Sequence, residues 1–145
     1  MAGFSDTFEN DLVKLIFNAV AIANVADNAG SSPLTQLWVG LHTADPTDAG
    51  TQGSNEGGYA QYTRISVARS TAGWKVTNNG ASPVANIDYP QNTSTSTGSF
   101  THASIGVTSG STSGKIIASG SISPAINFSQ NVTPRLTTAS SFTVD

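Results

Sequence analysis

The chain contains no cysteine in 145 residues, which excludes disulfides, thiolate zinc sites, iron–sulfur clusters and thiol catalysis. Charge is also scarce. Asp, Glu, Lys and Arg make up 10% of the residues, where soluble domains carry about 25%. Six basic residues and a net charge of −3 cannot build the cationic stripe that a phosphate backbone demands, so nucleic acid is excluded as a partner. No apolar run approaches the ~18 residues needed to cross a bilayer, and the N-terminus lacks the basic and apolar regions of a signal peptide. Membrane insertion is therefore not expected, and the chain reads as made in a cytosol without export.

Small polar residues fill the place of charge: 20 Ser, 18 Thr, 11 Asn and 14 Gly. The 37% of hydrophobic residues fall in periodic patterns, which argues for a fold rather than disorder. The length suits one domain, residues 1–145, with roughly 68% of the unfolded chain's surface buried on folding.

The period is helical at the start and strand-like afterwards. Phe4, Phe8, Leu12, Leu15, Ile16 and Ala19 recur at spacings of three and four, which predicts an amphipathic helix over about 4–20. Ser5 or Asp6 can cap it, and Asp6 with Glu9 resembles a capping box. The stripe Phe4, Phe8, Leu12, Leu15, Ile16 is a candidate interface, docking on the chain's own sheet or on a neighbouring subunit.

From about residue 35 to 145 the pattern is that of a β-sandwich. Leu37, Val39 and Leu41 alternate with Trp38, Gly40 and His42 in a strand over 35–43. A long loop follows at 44–58, then a strand over 59–68 with Tyr59 on one side and Tyr62 and Arg64 on the other. Asn78-Asn79-Gly80 marks a hairpin turn after Trp74–Thr77. Further strands are predicted at 84–89, 100–107, 115–123 and 141–145, with 91–99 as an exposed Ser/Thr loop and Pro124 and Pro134 restricting pairing to edges. The fold class is mainly β: an antiparallel sandwich or jelly-roll-like domain preceded by one N-terminal amphipathic helix.

Little in the sequence carries chemistry. His42 and His102 read as surface or interface packing in strands, on the face opposite the apolar one. Asp45-Pro-Thr-Asp48 reads as a turn, without the alternating ligands of a calcium loop. Gly110-Ser-Thr-Ser-Gly114 puts threonine where a nucleophile elbow needs serine, and no phosphate-binding fingerprint occurs. No catalytic residue, metal site or cofactor is expected. Among the aromatics, Trp38, Tyr59 and Tyr62 are candidates for stacking on a sugar ring, with core packing as the alternative.

The order of segments resembles the small tailed-phage virion proteins known as tail-fibre or tail-fibre-like proteins. The landmarks are the helix FSDTFENDLVKLIF, the block from Leu37 to Gly50 with its LWVGLHTADPT core, Gly57-Gly-Tyr-Ala60 leading to Arg64, ANIDYP, Thr101-His102 and the KIIASGSIS strand. The resemblance implies a non-enzymatic virion subunit that associates with copies of itself and with other capsid or tail proteins. Its place would be a capsid decoration (cement) or a tail-fibre-like surface position. The alternative is a receptor- or glycan-binding module at the tail tip, acting on a host-surface glycan.

Overall fold

The computed structural model describes residues 6–22 and 34–143, with side chains from residue 9 onward. Among the described residues one helix, α1 (Asp6–Asn18), precedes nine strands: β1 (Gln36–His42), β2 (Ile65–Ala68), β3 (Trp74–Thr77), β4 (Gly80–Pro83), β5 (Ile87–Asp88), β6 (Gly98–Gly106), β7 (Ile116–Phe128), β8 (Arg135–Leu136) and β9 (Phe142–Thr143). All pairings are antiparallel, in a four-stranded sheet β2-β1-β6-β7, a three-stranded sheet β3-β4-β9 and a pair β5-β8. The chain is mainly β with one N-terminal helix, as the change of period predicts.

A single hydrophobic cluster joins all of these elements. Leu37, Val39 and Leu41 of β1 and Ala103 and Ile105 of β6 meet Trp74 and Ala81 of the small sheet, Ile87 and Leu136 of the β5–β8 pair, and Val13 and Phe17 of the helix. The period-2 pattern of β1 decides which face of the large sheet turns inward. Asn78 takes the left-handed conformation (φ 55°) that closes the β3–β4 hairpin, a conformation Asn tolerates better than most residues.

The helix docks through a face other than its longest apolar stripe. Val13 is 0% and Phe17 3% exposed, whereas Leu12 and Leu15 are half-buried. Phe17 packs edge-on against Trp74, with ring centroids 4.8 Å apart, and Ile16 also packs on the core. At 100° per residue Val13 and Phe17 lie on nearly the opposite side from Leu15, so this helix is apolar on two sides. Phe4 and the side chain of Phe8 lie outside the described residues, as do the capping candidate Ser5 and the end of the predicted last strand. The helix closes with Ala19 in the left-handed region (φ 56°). Arg69 then donates to the orphan carbonyls of Ile16 and Leu15, both at 2.6 Å, satisfying the helix end with a cation where its dipole favours one.

Three expectations need correction. Residues 59–64 form turns rather than strand, and pairing begins only at Ile65. Of 84–89 only Ile87–Asp88 pair, and their partner is β8 in the proline-bounded segment. The strand expected over 115–123 runs on through Pro124 to Phe128, as an edge strand allows. The 91–99 stretch is largely exposed, as expected, and is pinned by buried Asn92, which accepts at Oδ1 from the Ser94 backbone and hydroxyl and donates to the Ser96 carbonyl at 2.8 Å.

Candidate functional site

The outward face of the large sheet is where polar side chains collect. Strand alternation puts Trp38, Gly40 and His42 of β1 on it, beside Ser104 and Gly106 of β6, by the register Trp38↔Gly106, Gly40↔Ser104, His42↔His102. Glycine at 40 and 106 leaves shallow ground, and the 44–58 loop folds down into it. A Cβ on Gly106 would lie 2.0 Å from the Gln52 side chain, and one on Gly40 would lie 3.2 Å from Glu56 Oε1.

The loop is then fastened on both flanks. Asn55–Gly57 run beside the end of β1, with Thr43 N–H donating to Asn55 O at 2.9 Å and Gly57 N–H to Leu41 O at 3.1 Å. Gln52 and Gly53 donate to the Gly114 and Thr112 carbonyls at 2.8 and 3.1 Å. Gln52, 0% exposed, accepts at Oε1 from Val107 N–H and Thr108 N–H, both at 3.0 Å.

Arg64 sits at the centre of this assembly. Its guanidinium meets the Glu56 carboxylate bidentately, Nε to Oε1 and Nη2 to Oε2, both at 2.6 Å. Its remaining N–H groups reach Thr108 O, Thr108 Oγ1 and Ser111 O at 3.0, 3.2 and 3.1 Å. All five guanidinium donors are thus used, and the two side chains are 3% and 14% exposed. The Tyr62 hydroxyl donates to Glu56 Oε1 at 3.2 Å and accepts from Leu41 N–H at 2.6 Å; burial raises its pKa far above the usual phenol range. A cleft of about 220 Å³ opens beside it, lined by Glu56, Tyr62, Thr63, Arg64, Ser109 and Gly110.

His42 and Ser104 lie alongside. His42 Nδ1 donates to the Ser54 carbonyl at 2.7 Å, which leaves Nε2 to accept from the Ser104 hydroxyl at 2.7 Å. A serine on the unprotonated imidazole nitrogen is the contact a nucleophile and its base make. Here Ser104 is 1% and His42 0% exposed, so the hydroxyl is closed to any substrate and the pair ties β1, β6 and the loop together. The expectation of His42 as a surface or interface side chain is therefore corrected: the loop covers the outward face and turns it into a polar interior. His102 is half-buried, with Nδ1 beside the Thr101 hydroxyl at 3.0 Å.

Burial lowers the His42 pKa from 6.5, partly offset by the Ser54 carbonyl and the Glu56 charge. A base whose folded-state pKa is depressed takes up its proton first in the unfolded chain. The stability it contributes is whole above about pH 6.5 and is lost as the pH falls below that toward the folded value. Melting temperature is expected to decline over that interval in the wild type, and to decline less in His42→Gln. An equal decline in the two proteins would refute the assignment.

The sugar-stacking candidates are not brought together on one surface. Tyr59 is 8% exposed; its hydroxyl donates to Pro90 O at 2.7 Å and its ring contacts Tyr62, Phe100 and Phe128. Tyr62 stacks on Tyr89 at 5.8 Å with an 8° interplanar angle. Trp38 is half-buried on the outward sheet face. Asp45 accepts from the Thr47 backbone at 2.8 Å in an Asx turn, and among the described residues no three His, Asp or Glu side chains are grouped to hold a metal. Sequence reasoning missed Gln52, Glu56, Arg64 and Ser104 as one network. The available signal was an arginine and a glutamate eight residues apart, flanking Gly57-Gly58, in a chain with few charges to pair.

A sequence model of the family described as Podophage GP4 fiber I protein gp80 matches residues 3–143. Among curated proteins, none matches the chain.

Proposed function

This chain belongs to the Podophage GP4 fiber I protein gp80 family, a family of bacteriophage structural proteins of the fibre class, and from that premise we propose that it is a non-enzymatic, self-associating subunit that binds other tail proteins in a virion fibre. The observation that carries the proposal is the match over nearly the whole chain.

Two physical features support it. The Ser104–His42 contact, which has the form of a nucleophile with its base, is sealed, with Ser104 1% exposed. The long loop that would otherwise be free to bind is fastened to the 107–114 turn through Gln52, Gly53 and Thr51. A chain with only 10% charged residues suits contacts between neighbouring subunits, where charge is depleted from the buried centre.

Copy number per purified virion tests the reading. A fibre subunit is expected at a small multiple of the tail's rotational symmetry. One or more copies per capsomer would place it on the head as a decoration protein, and absence from washed virions would refute a structural role.

A further inference from the structure

Strand β7 is the outermost strand of the large sheet, and among the described residues no backbone group bonds to its outer edge. Proteins guard such edges with charge, proline, bulges or a covering segment, because free N–H and C=O groups template another strand. From Ile116 to Phe128, IIASGSISPAINF, β7 carries no charged residue. Its guards are a bulge at Ile117 and a wider one between Ser121 and Ile126 that contains Pro124. Between them the run Ala118–Ser121 is straight and bare.

Clefts lie along the strand on two sides. One of about 320 Å³, toward the 44–58 loop, is bounded by Asp48, Lys115 and Ile116–Ser119. Another of about 260 Å³, toward β8 and β9, is bounded by Gly120–Ser123, Leu136 and Phe142. A strand added to an edge bonds through its backbone and sends alternate side chains to opposite sides, where such clefts receive them.

We propose that β7 pairs antiparallel with β7 of a second copy, about a two-fold axis through Gly120; the inference rests on the self-association put forward above and names its surface. Charge favours this occupant. A neutral edge meets its own copy without the like-charge opposition that penalises cross-strand pairs, and the nearest charges, the two Lys115 side chains, fall at opposite ends of the joint. Under the two-fold axis each Ile116 stands across from Pro124 of the other copy, whose missing N–H ends the pairing. The joint thus runs from Ile117 to Ser123 in each copy, with Ala118 of one beside Ile122 of the other. A Cβ built on Gly120 meets nothing within 4 Å, so a side chain introduced there stands free above the sheet face, and residues 119–121 are exposed. The contact is isologous and closes at two copies.

Because the chain has no cysteine, single-cysteine variants report the joint directly. Gly120→Cys is expected to give about tenfold more disulfide-linked dimer on mild oxidation than Ser119→Cys or than Ser66→Cys on the opposite edge, since only the residue on the axis lies directly across from its own copy, within disulfide reach. Gly120→Lys is expected to shift sedimentation to monomer with an unchanged circular dichroism spectrum, as its side chain points into open space. Equal crosslinking at positions 66, 119 and 120, or undiminished association of Gly120→Lys, would overturn the proposal. A wild-type monomer whose Gly120→Lys variant is lost from virions would also overturn it, in favour of a strand from a different protein. Copy number in virions reads the fibre assignment independently of all these results.

Discussion

Replacing Arg64 by alanine is expected to cost about 3–5 kcal/mol of unfolding free energy, the range for removing one partner of a buried ion pair. Against a total of roughly 5–15 kcal/mol for a domain, that loss puts the variant at or near the edge of folding. The cause is the partner left behind. Glu56 would retain the Tyr62 hydroxyl at 3.2 Å but no counter-charge, in a site where its side chain is 14% exposed. The carbonyls that Arg64 bridges fare better: Thr108 O still accepts from Gln52 Nε2, and Ser111 O from Gly114 N–H. The charge, and not the backbone acceptors, is therefore expected to dominate the loss. Urea unfolding of Arg64→Ala beside the double variant Arg64→Met/Glu56→Leu separates the two. The double variant is expected to recover most of the lost stability, because replacing both charges removes the stranded carboxylate. A single variant within about 1 kcal/mol of wild type would refute this account.

Trp74→Ala is expected to cost a similar amount, about 3–5 kcal/mol, the range for truncating a large buried aromatic. Trp74 is 1% exposed and stands between Phe17 at 4.8 Å and Phe142 at 6.5 Å, ring centre to ring centre. It therefore joins the helix, the β3–β4 hairpin and β9, and its loss should release the helix first. Circular dichroism is expected to show loss of the helical signal at lower denaturant than loss of the β signal. Trp74→Phe should cost much less, because it keeps a ring against Phe17 and removes an indole N–H that meets no acceptor among the described residues. Alanine and phenylalanine variants of equal stability would show that the ring contacts contribute little.

What was legible in the sequence was local. The Asn78-Asn79-Gly80 turn and the alternation in β1 each follow from the chemistry of a few adjacent residues, and each appears where predicted; the stop expected before Pro124 does not, because β7 is an edge strand and carries the proline in a bulge. The helix was legible as a helix, but its docking face was not. Phe4, Phe8, Leu12 and Leu15 form the longer apolar row, while the core receives Val13 and Phe17. Periodicity says that a stripe exists; where two stripes exist, only the shape of the receiving sheet chooses. The 59–64 segment shows the same limit. Its alternation of Tyr59, Gln61 and Thr63 mimics a strand, but the Arg64–Glu56 pair and the Tyr59–Tyr62 contact fold it back on itself. The polar network was least legible. His42 reads as an outward side chain because β1 alternates, and nothing in β1 announces that Gln52 and Glu56, in the loop that follows, will roof that face. Burial of charge depends on a partner arriving from elsewhere in the chain, so composition and spacing do not reveal it.

The far end of β7 illustrates a different kind of constraint. The Phe128 ring lies where a Cβ on Gly58 or on Gly98 would stand, 2.4 Å from the first and 2.6 Å from the second. Three positions scattered over seventy residues therefore share one volume, and mutation at any one is conditional on the other two. A branched residue at 58 or 98 is admissible only in a lineage that has first shrunk 128. Divergence among fibre chains of this family should then carry these three sites as a linked trio, even where the surrounding loops drift freely.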